Sequence, residues 1–211
     1  MRTTKEEMIE RQLRGRDITD AKVLEAMREE DRSLFVPDDM LEHTYEDRAL
    51  PIGREQTISQ PYIVAYMAQA LRLGPEDVVM EVGTGCGYNA AVMSRIVKHV
   101  YSVEVIQWLA DLAKENLRKA RIENVTTRHG DGFGGWPEEA PFDAIILTAA
   151  PPAIPEPLKQ QLKIGGRLLA PVGNVMQSLV LLQRTGADFF EERKLLPVKF
   201  VPMTGEAQKR F

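Results

Sequence analysis

The chain has 211 residues, 44% hydrophobic and 27% charged, with a formal net charge of −4. That supports one well-cored domain with an appendage, and the acidic balance argues against a phosphate-backbone partner such as bulk nucleic acid. No apolar run nears the ~18 residues of a membrane span, residues 1–12 are charged where a secretory segment is apolar, and the lone Cys86 excludes an intrachain disulfide or a multi-cysteine zinc site, so no metal is expected and the setting reads as reduced and cytoplasmic.

Residues 1–50 read as a helical appendage. Thr4-x-x-Glu7 is a capping-box pattern, Met8, Ile9, Gln12 and Leu13 make an apolar stripe, and Gly15 is placed to end that helix. A second helix is predicted from Thr19 or Asp20, with Val23, Leu24 and Met27 on its buried face. Leu34-Phe35-Val36-Pro37 predicts an extended passage, because a residue before proline avoids the helical region. The polar stretch Ile52–Pro61 ends in Ser59-Gln60-Pro61, which predicts a helix start with Ser59 as N-cap and Pro61 in the first turn. Ile63, Val64, Met67, Ala68 and Leu71 then follow at helical spacing. Spacing alone favours capping over catalysis for Ser59, although a loop entering a helix N-terminus offers an anion both a hydroxyl and N–H donors.

Val78-Val79-Met80-Glu81-Val82 reads as a buried parallel strand, and Gly83-Thr84-Gly85-Cys86-Gly87 turns the chain into a helix. The three glycines are expected to turn tightly and bring backbone N–H groups against a ligand. The dinucleotide fingerprint places its third glycine one residue later, where this chain has Tyr88. The bulk of Tyr88 is expected to obstruct close strand–helix packing of that kind. Glu81 near the strand end repels a pyrophosphate and attracts a cationic amino-acid ligand. S-adenosylmethionine, with an ammonium, a sulfonium and no phosphate, fits that pattern; a ligand-free glycine turn is the alternative.

Period switching continues downstream. Asn89–Lys98 reads as a helix and His99–Val105 as a strand whose Glu104 is placed to accept hydrogen bonds from ribose hydroxyls. Ile106–Ala120 is a predicted helix and Val125–His129 a strand, followed by Gly130-Asp131-Gly132, whose acid stands in reach of an adenine amino group. Asp143–Leu147 is a fourth strand, Pro155–Ile164 a helix stopped by Gly165-Gly166, and Arg167–Ala170 a fifth strand. Alternation of this kind means an α/β, doubly wound parallel sheet. Ser178–Arg184 and Asp188–Lys194 read as a hairpin with a left-handed glycine at Gly186, and Val198–Val201 as a further strand, so an antiparallel edge is expected.

Several of these stretches, in order, resemble the protein-L-isoaspartate (D-aspartate) O-methyltransferases: Leu34–Pro37, Gln56–Pro61, Met80–Tyr88, Gly130–Gly132, Glu139–Asp143, Gln161–Leu168 and Val201–Thr204. The resemblance implies a class I S-adenosylmethionine-dependent methyltransferase fold, Rossmann-like, with an N-terminal helical extension (1–60), a cofactor-binding core (61–175) and C-terminal antiparallel strands (176–211) in one domain. It implies that Ser59 is the active-site serine and that Ile52–Ile58 closes over cofactor and peptide, with Glu55, Gln56, Thr57 and Ile58 at the cofactor. Glu81, Gly83, Thr84, Gly85 and Gly87 are then expected at the methionine moiety, Glu104 at the ribose, Asp131 and Gly132 at the adenine, and Thr204 in the segment covering the cofactor. Cys86 departs from the serine that family members often carry, which removes a stronger hydrogen-bond partner.

The implied reaction moves a methyl group from S-adenosyl-L-methionine to the free α-carboxylate of isoaspartyl, and by extension D-aspartyl, residues in damaged proteins and peptides, leaving S-adenosyl-L-homocysteine. Such a carboxylate, with a pKa of about 3.3–3.7, is ionised at neutral pH and needs no general base. His43, His99 and His129 accordingly stand in no nucleophile–base spacing. The implied partners are damaged polypeptides, with no nucleic acid and no membrane, and a monomer is the expectation. Rival readings are a methyltransferase for a small metabolite or RNA, an NAD-dependent oxidoreductase using Gly83–Gly87 and Glu104, and a non-catalytic adenosine-ligand sensor.

Overall fold

The computed structural model describes residues 2–210; Met1 and Phe211, the ends of the domain read from the sequence, lie outside the described residues. Helix α1 begins as one α-turn, Lys5–Glu7, and continues as a π-helix over Met8–Arg14 that buries Met8, Ile9 and Leu13. The capping box is formed: Glu7 N–H donates to Thr4 Oγ1, and Thr4 N–H donates to the Glu7 carboxylate. Asp20 caps α2 (Ala21–Glu29), whose buried residues are Val23, Leu24, Ala26 and Met27. Leu34 and Phe35 belong to a 3₁₀ turn, Arg32–Phe35, rather than to an extended passage. Only Val36 and Pro37 are extended, because the pre-proline restriction acts on Val36 alone.

Strands β1 (Leu50–Gly53) and β2 (Gln56–Ile58) form a small antiparallel hairpin ahead of α3 (Pro61–Leu71). Ser59 is not the N-cap of α3. Pro61 has no N–H and a helix-ready φ, so the helix starts on it and the cap position falls to Gln60, which makes no side-chain cap bond.

The main sheet contains β3 (Val78–Val82), β4 (His99–Glu104), β5 (Val125–His129), β6 (Phe142–Leu147), β7 (Leu162–Val172), β8 (Gln177–Arg184) and β9 (Phe190–Val198) in the order β5-β4-β3-β6-β7-β8-β9. The first five pair in parallel; β8 and β9 extend the β7 edge antiparallel. Between them run α4 (Tyr88–Ser94), α5 (Gln107–Lys119) and α6 (Glu156–Gln160), and α7 (Glu206–Arg210) ends the described chain. Alternate strand residues feed opposite faces. Val79, Val100, Ala144, Ile146 and Leu169 pack with α3, α4 and the N-terminal extension, whereas Met80, Val82, Val103, Ile145 and Leu168 pack with Trp136, Leu158 and Met203.

Several boundaries differ from the sequence expectation. The helix expected to Lys98 ends at Ser94, and the one expected to Ile164 ends at Gln160 because Leu162 already pairs with Phe142. Gly165-Gly166 mark an irregularity inside β7, where a Cβ on Gly166 would meet Lys163 and Asp143 carbonyl oxygens within 3.0 Å. Gly186 is not left-handed; its turn is closed by Thr185 and Gly186 N–H groups donating to the Phe189 carbonyl. Val198 closes β9, and Val201 returns to β6's end instead of forming a further strand, with Ala150 N–H donating to the Val201 carbonyl.

From β3 the chain winds outward to β4 and β5, then crosses back to β6 and β7. The strand order reverses beside β3, and the crevice beyond the carboxyl ends of β3, β4 and β6 is where such sheets bind ligands.

Candidate active site

Two cavities open at that crevice. The first spans about 800 Å³, its open mouth included, and is lined by residues at or just beyond the ends of four parallel strands: Val82–Gly85, Val103–Ile106, Gly132 and Thr148–Ala149. The β1–β2 hairpin contributes Gln56–Ser59 to its wall, and Val201–Thr204 closes another side. Among the described residues its one charged lining residue is Glu104, a buried acid whose carboxylate accepts from Gly85 N–H at 2.8 Å and Ile106 N–H at 2.9 Å.

The glycine turn does not present its glycine N–H groups to a ligand. Gly83 N–H donates to Val103 O, Gly85 N–H to Glu104 and Gly87 N–H to Thr84 O, so all three are used within the chain. This corrects the sequence expectation, and with Glu104 facing the cavity it leaves no glycine cradle for a pyrophosphate. Tyr88 lines the first cavity, and its ring packs edge-on against Phe35 at 5.5 Å and under the Arg32 guanidinium at 4.9 Å, so the N-terminal extension receives its bulk.

The second cavity, about 990 Å³, is lined by Ala49, Gln60, Ile63 and the segment Pro197–Val201, and it meets the first at Thr57, Ser59, Thr148 and Val201. Lys199 is its one charged lining residue, exposed and outside every ion pair among the described residues. Ser59 Oγ makes no hydrogen bond to any described residue, so at the junction it is free to meet a ligand. The paired chambers thus carry opposite charge, an acid in one and a lysine in the other.

Of the residues singled out from sequence, Gln56, Thr57, Ile58, Ser59, Gly83, Thr84, Gly85, Glu104, Gly132 and Thr204 line the first cavity. Glu55, Glu81, Gly87 and Asp131 do not. Glu55 is exposed in the hairpin turn, and Gly87 is the N-cap of α4, packed on Ala113 and Leu117 of α5. Asp131 accepts from Phe133 N–H and from Glu206 N–H, which ties the chain's last helix to the β5 loop. Glu81 is completely buried behind the wall, and burial pushes its carboxyl up to about 7 against the opposing hydrogen bonds from Ser102 and Asn89. Cys86 is buried too, its thiol raised to about 11 by desolvation, and it lines neither cavity. Among the described residues no histidine lines either chamber.

Sequence reading missed Asn89 and Thr148-Ala149, and of the Val201–Thr204 stretch it named only Thr204 at the cofactor. Thr148 was within reach, since it directly follows a buried strand at the switch point. Val201–Met203 was reached only through the resemblance, as neighbours of Thr204, because its place depends on pairing with Ala150, distant in the chain.

A sequence profile of the family described as protein-L-isoaspartate(D-aspartate) O-methyltransferase matches residues 3–208. Curated relatives include protein-L-isoaspartate O-methyltransferase 2 of Pelobacter propionicus, 52% identical over 203 residues covering 95% of this chain and 90% of its own. Another, from Opitutus terrae, is 50% identical over 205 residues, covering 96% and 87%. Among solved structures, a protein-L-isoaspartate O-methyltransferase superposes with a TM-score of 0.88 at 31% identity, covering 97% of this chain and 67% of its own. A Plasmodium falciparum structure, described as such a methyltransferase in complex with S-adenosyl-L-homocysteine, shares the fold with a TM-score of 0.84 at 24% identity, covering 96% and 99%. The doubly wound sheet with its antiparallel edge is therefore that of the S-adenosylmethionine-dependent methyltransferases, and the chain belongs to the protein-L-isoaspartate(D-aspartate) O-methyltransferase family.

Proposed function

We propose that the chain transfers the methyl group of S-adenosyl-L-methionine to the free α-carboxylate of L-isoaspartyl, and also D-aspartyl, residues in damaged proteins and peptides. The observation that carries this reading is the junction of an acid-lined chamber with a lysine-lined one at Thr57, Ser59, Thr148 and Val201. The residues present fit the cofactor: Glu104 faces the first chamber, Glu81 is a buried acid behind it, and no cationic side chain among the described residues lines it. When bound there, S-adenosyl-L-methionine supplies an electrophilic methyl group on a sulfonium.

Everything else falls to the chain's own residues. Glu104, already fixed by two backbone N–H groups, keeps lone pairs for ribose hydroxyls, while Gly132 and Thr204 bound the space left for the base. Glu81, Gly87 and Asp131 act through the groups they hold, and Glu55 shapes the hairpin turn. In the second chamber Lys199 attracts a carboxylate, and the Ser59 hydroxyl donates to it, which orients the nucleophile without a covalent step. An α-carboxylate with a pKa of about 3.3–3.7 needs no base, in keeping with the absence of histidine from both walls. Rate acceleration then rests on alignment, for which effective molarities reach ~10⁵ M or more, and on exclusion of water from the carboxylate. The methyl ester loses methoxide far more readily than a carboxylate loses oxide, so attack by the next backbone nitrogen on the ester carbonyl breaks the C–O bond, releases methanol and gives a succinimide that hydrolyses in part to normal aspartate.

No described helix is long and apolar enough to cross a membrane. We place the protein in the cytoplasm as a monomer acting on exposed segments of aged proteins, without nucleic acid. The test is base-labile methyl incorporation into a matched pair of peptides. An isoaspartyl residue carries its carboxylate one carbon closer to the main chain than aspartyl does, and small misplacements cost ~10²-fold. Isoaspartyl peptide is expected to be methylated at least ~10²-fold more efficiently. Equal rates, or incorporation stable to mild base, would refute the assignment.

A further inference from the structure

Glu81 is a buried acid without a counter-ion among the described residues. Each of its oxygens meets one neutral donor, Asn89 Nδ2 at 2.7 Å on Oε1 and Ser102 Oγ on Oε2. Ser102 Oγ also shares a 2.6 Å hydrogen bond with Thr84 Oγ1. Asn89 and Thr84 both line the first chamber, and Glu81 does not. The carboxyl group therefore stands one side chain behind the wall and is joined to it at two points.

No neighbouring element supplies a positive charge to it. On β4, Glu104 carries the same sign and raises its proton affinity further, while Ser102, its register partner, is neutral. From β6 the partner is Ile146, from α4 it is Asn89, and the glycine turn contributes the buried thiol of Cys86. A carboxylate in such a place is strongly disfavoured unless a cation comes near. The nearest open space that a cation can enter is the chamber itself.

We propose that Glu81 is a positioning residue whose proton is exchanged against the cofactor's positive charge: it is protonated in part when the chamber is empty and ionised when a sulfonium and an ammonium occupy it. This rests on the reading of the first chamber as the S-adenosyl-L-methionine site. The balance is simple. The carboxylic acid loses one proton to solvent, the Ser102–Thr84 hydroxyls offer it a path to the chamber, and the carboxylate left behind is neutralised by the ligand's charge. After methyl transfer the sulfur is a neutral thioether, one positive charge is gone, and Glu81 takes back part of its proton. The hold on S-adenosyl-L-homocysteine weakens accordingly.

Burial places this carboxyl near neutrality, at about 7, so both forms coexist at physiological pH. Linkage then fixes the expected size. If the bound cation drives the carboxyl well below pH 6, affinity for S-adenosyl-L-methionine rises about tenfold between pH 6 and pH 8 relative to Glu81→Gln, in which only the ligand's own α-amino group titrates.

The experiment is calorimetric titration of the full chain with S-adenosyl-L-methionine, and separately with S-adenosyl-L-homocysteine, in buffers of different ionisation enthalpy. At pH 7 about half a proton is expected to leave per bound S-adenosyl-L-methionine, and less with the thioether product. Glu81→Gln can accept from Asn89 and donate to Ser102, so its fold is expected to survive, and its binding is expected to release about half a proton fewer than wild type at pH 7 and to keep only the pH dependence of the ligand's own α-amino group. Ser102→Ala removes one donor from the carboxylate and is expected to move the release to higher pH. Tight binding without proton release between pH 6 and 8, an unchanged release in Glu81→Gln, or an unmoved midpoint in Ser102→Ala overturns the proposal. Absence of S-adenosyl-L-methionine binding by the folded wild-type chain would overturn the cofactor reading itself, and this inference with it.

Discussion

Thr148 and Gly83 fit together with no room to spare: the Thr148 hydroxyl donates to the Gly83 carbonyl at 2.5 Å, and a Cβ on Gly83 would stand 2.4 Å from Thr148 Oγ1. Gly83 also has a φ of +97°, where a side chain is strained whatever the space. Gly83→Ala is expected to destabilise the fold by about 1–3 kcal/mol and to weaken S-adenosyl-L-homocysteine binding. Adding Thr148→Ala removes the clashing oxygen but not the backbone strain, so the double variant recovers part of the loss. Urea unfolding and ligand affinity on all three chains check this; full recovery would show that space alone excludes a side chain at Gly83.

Because Gln60 and not Ser59 occupies the cap position of α3, loss of the Ser59 hydroxyl removes nothing from the helix. Ser59→Ala is expected to keep its stability within about 0.5 kcal/mol and its affinity for S-adenosyl-L-homocysteine, while turnover of an isoaspartyl peptide falls. A variant with wild-type turnover would leave Ser59 without a part in the reaction. A stability loss of about 1 kcal/mol would instead restore it to capping.

The hairpin over the first chamber rests on α5. A Cβ on Gly53 would lie 3.2 Å from the Trp108 ring, the Arg54 guanidinium stands 5.7 Å from that ring, and Ile52 Cδ1 reaches 3.6 Å from a Cβ built on Gly85. Trp108 itself is 45% exposed, which suits a support that must release. Cation–π attraction at an exposed site amounts to about 0.5–1 kcal/mol, so Trp108→Ala is expected to speed S-adenosyl-L-homocysteine dissociation roughly two- to fivefold. Stopped-flow displacement measures it, and an unchanged rate would mean that the hairpin does not gate the chamber.

Glu81 also makes the ligand-free fold pH-dependent. Its carboxyl is raised from 4.5 to about 7, so the native state holds the proton more tightly than the unfolded chain. Its share of stability is complete below about pH 4.5, falls as pH rises and is lost once pH passes 7. Glu81→Gln is therefore expected to flatten this fall and to gain on wild type between pH 5 and 8, on the order of 3 kcal/mol at the upper end. Denaturant titrations of both chains at pH 5 and pH 8 decide; parallel pH profiles would place the buried proton elsewhere.

Local chemistry made much of this protein legible in its sequence. Capping at Thr4-Glu7 and Asp20, the strand runs at Val78–Val82 and Val125–His129 and the glycine turn are all decided within a few residues of each other, by side-chain period and turn propensity, whereas Thr57-Ile58-Ser59 was legible only through the family resemblance. The same short range explains the errors. The Gly165-Gly166 pair reads as a helix stop, yet β6 recruits Leu162 and turns the glycines into a strand irregularity. Ser59 reads as a cap, yet the proline two residues later fixes the helix start for itself.

The tertiary structure alone decided which polar groups remain for a ligand. Glycine N–H groups that the turn makes available locally are taken by Val103, Glu104 and Thr84. Glu81 and Asp131, both acids at strand ends, part company: one is sealed behind Asn89 and Ser102, the other ties down Glu206. Val201–Thr204 and Lys199 reach the chambers because β7–β9 fold back on the sheet and Val201 pairs with Ala150. Pattern along the chain fixes which elements form, since propensity is local. Which donors and acceptors are spent inside the protein, and which face a cavity, is settled only when distant segments meet, because each hydrogen-bonding group satisfied by another part of the chain is one withdrawn from the ligand.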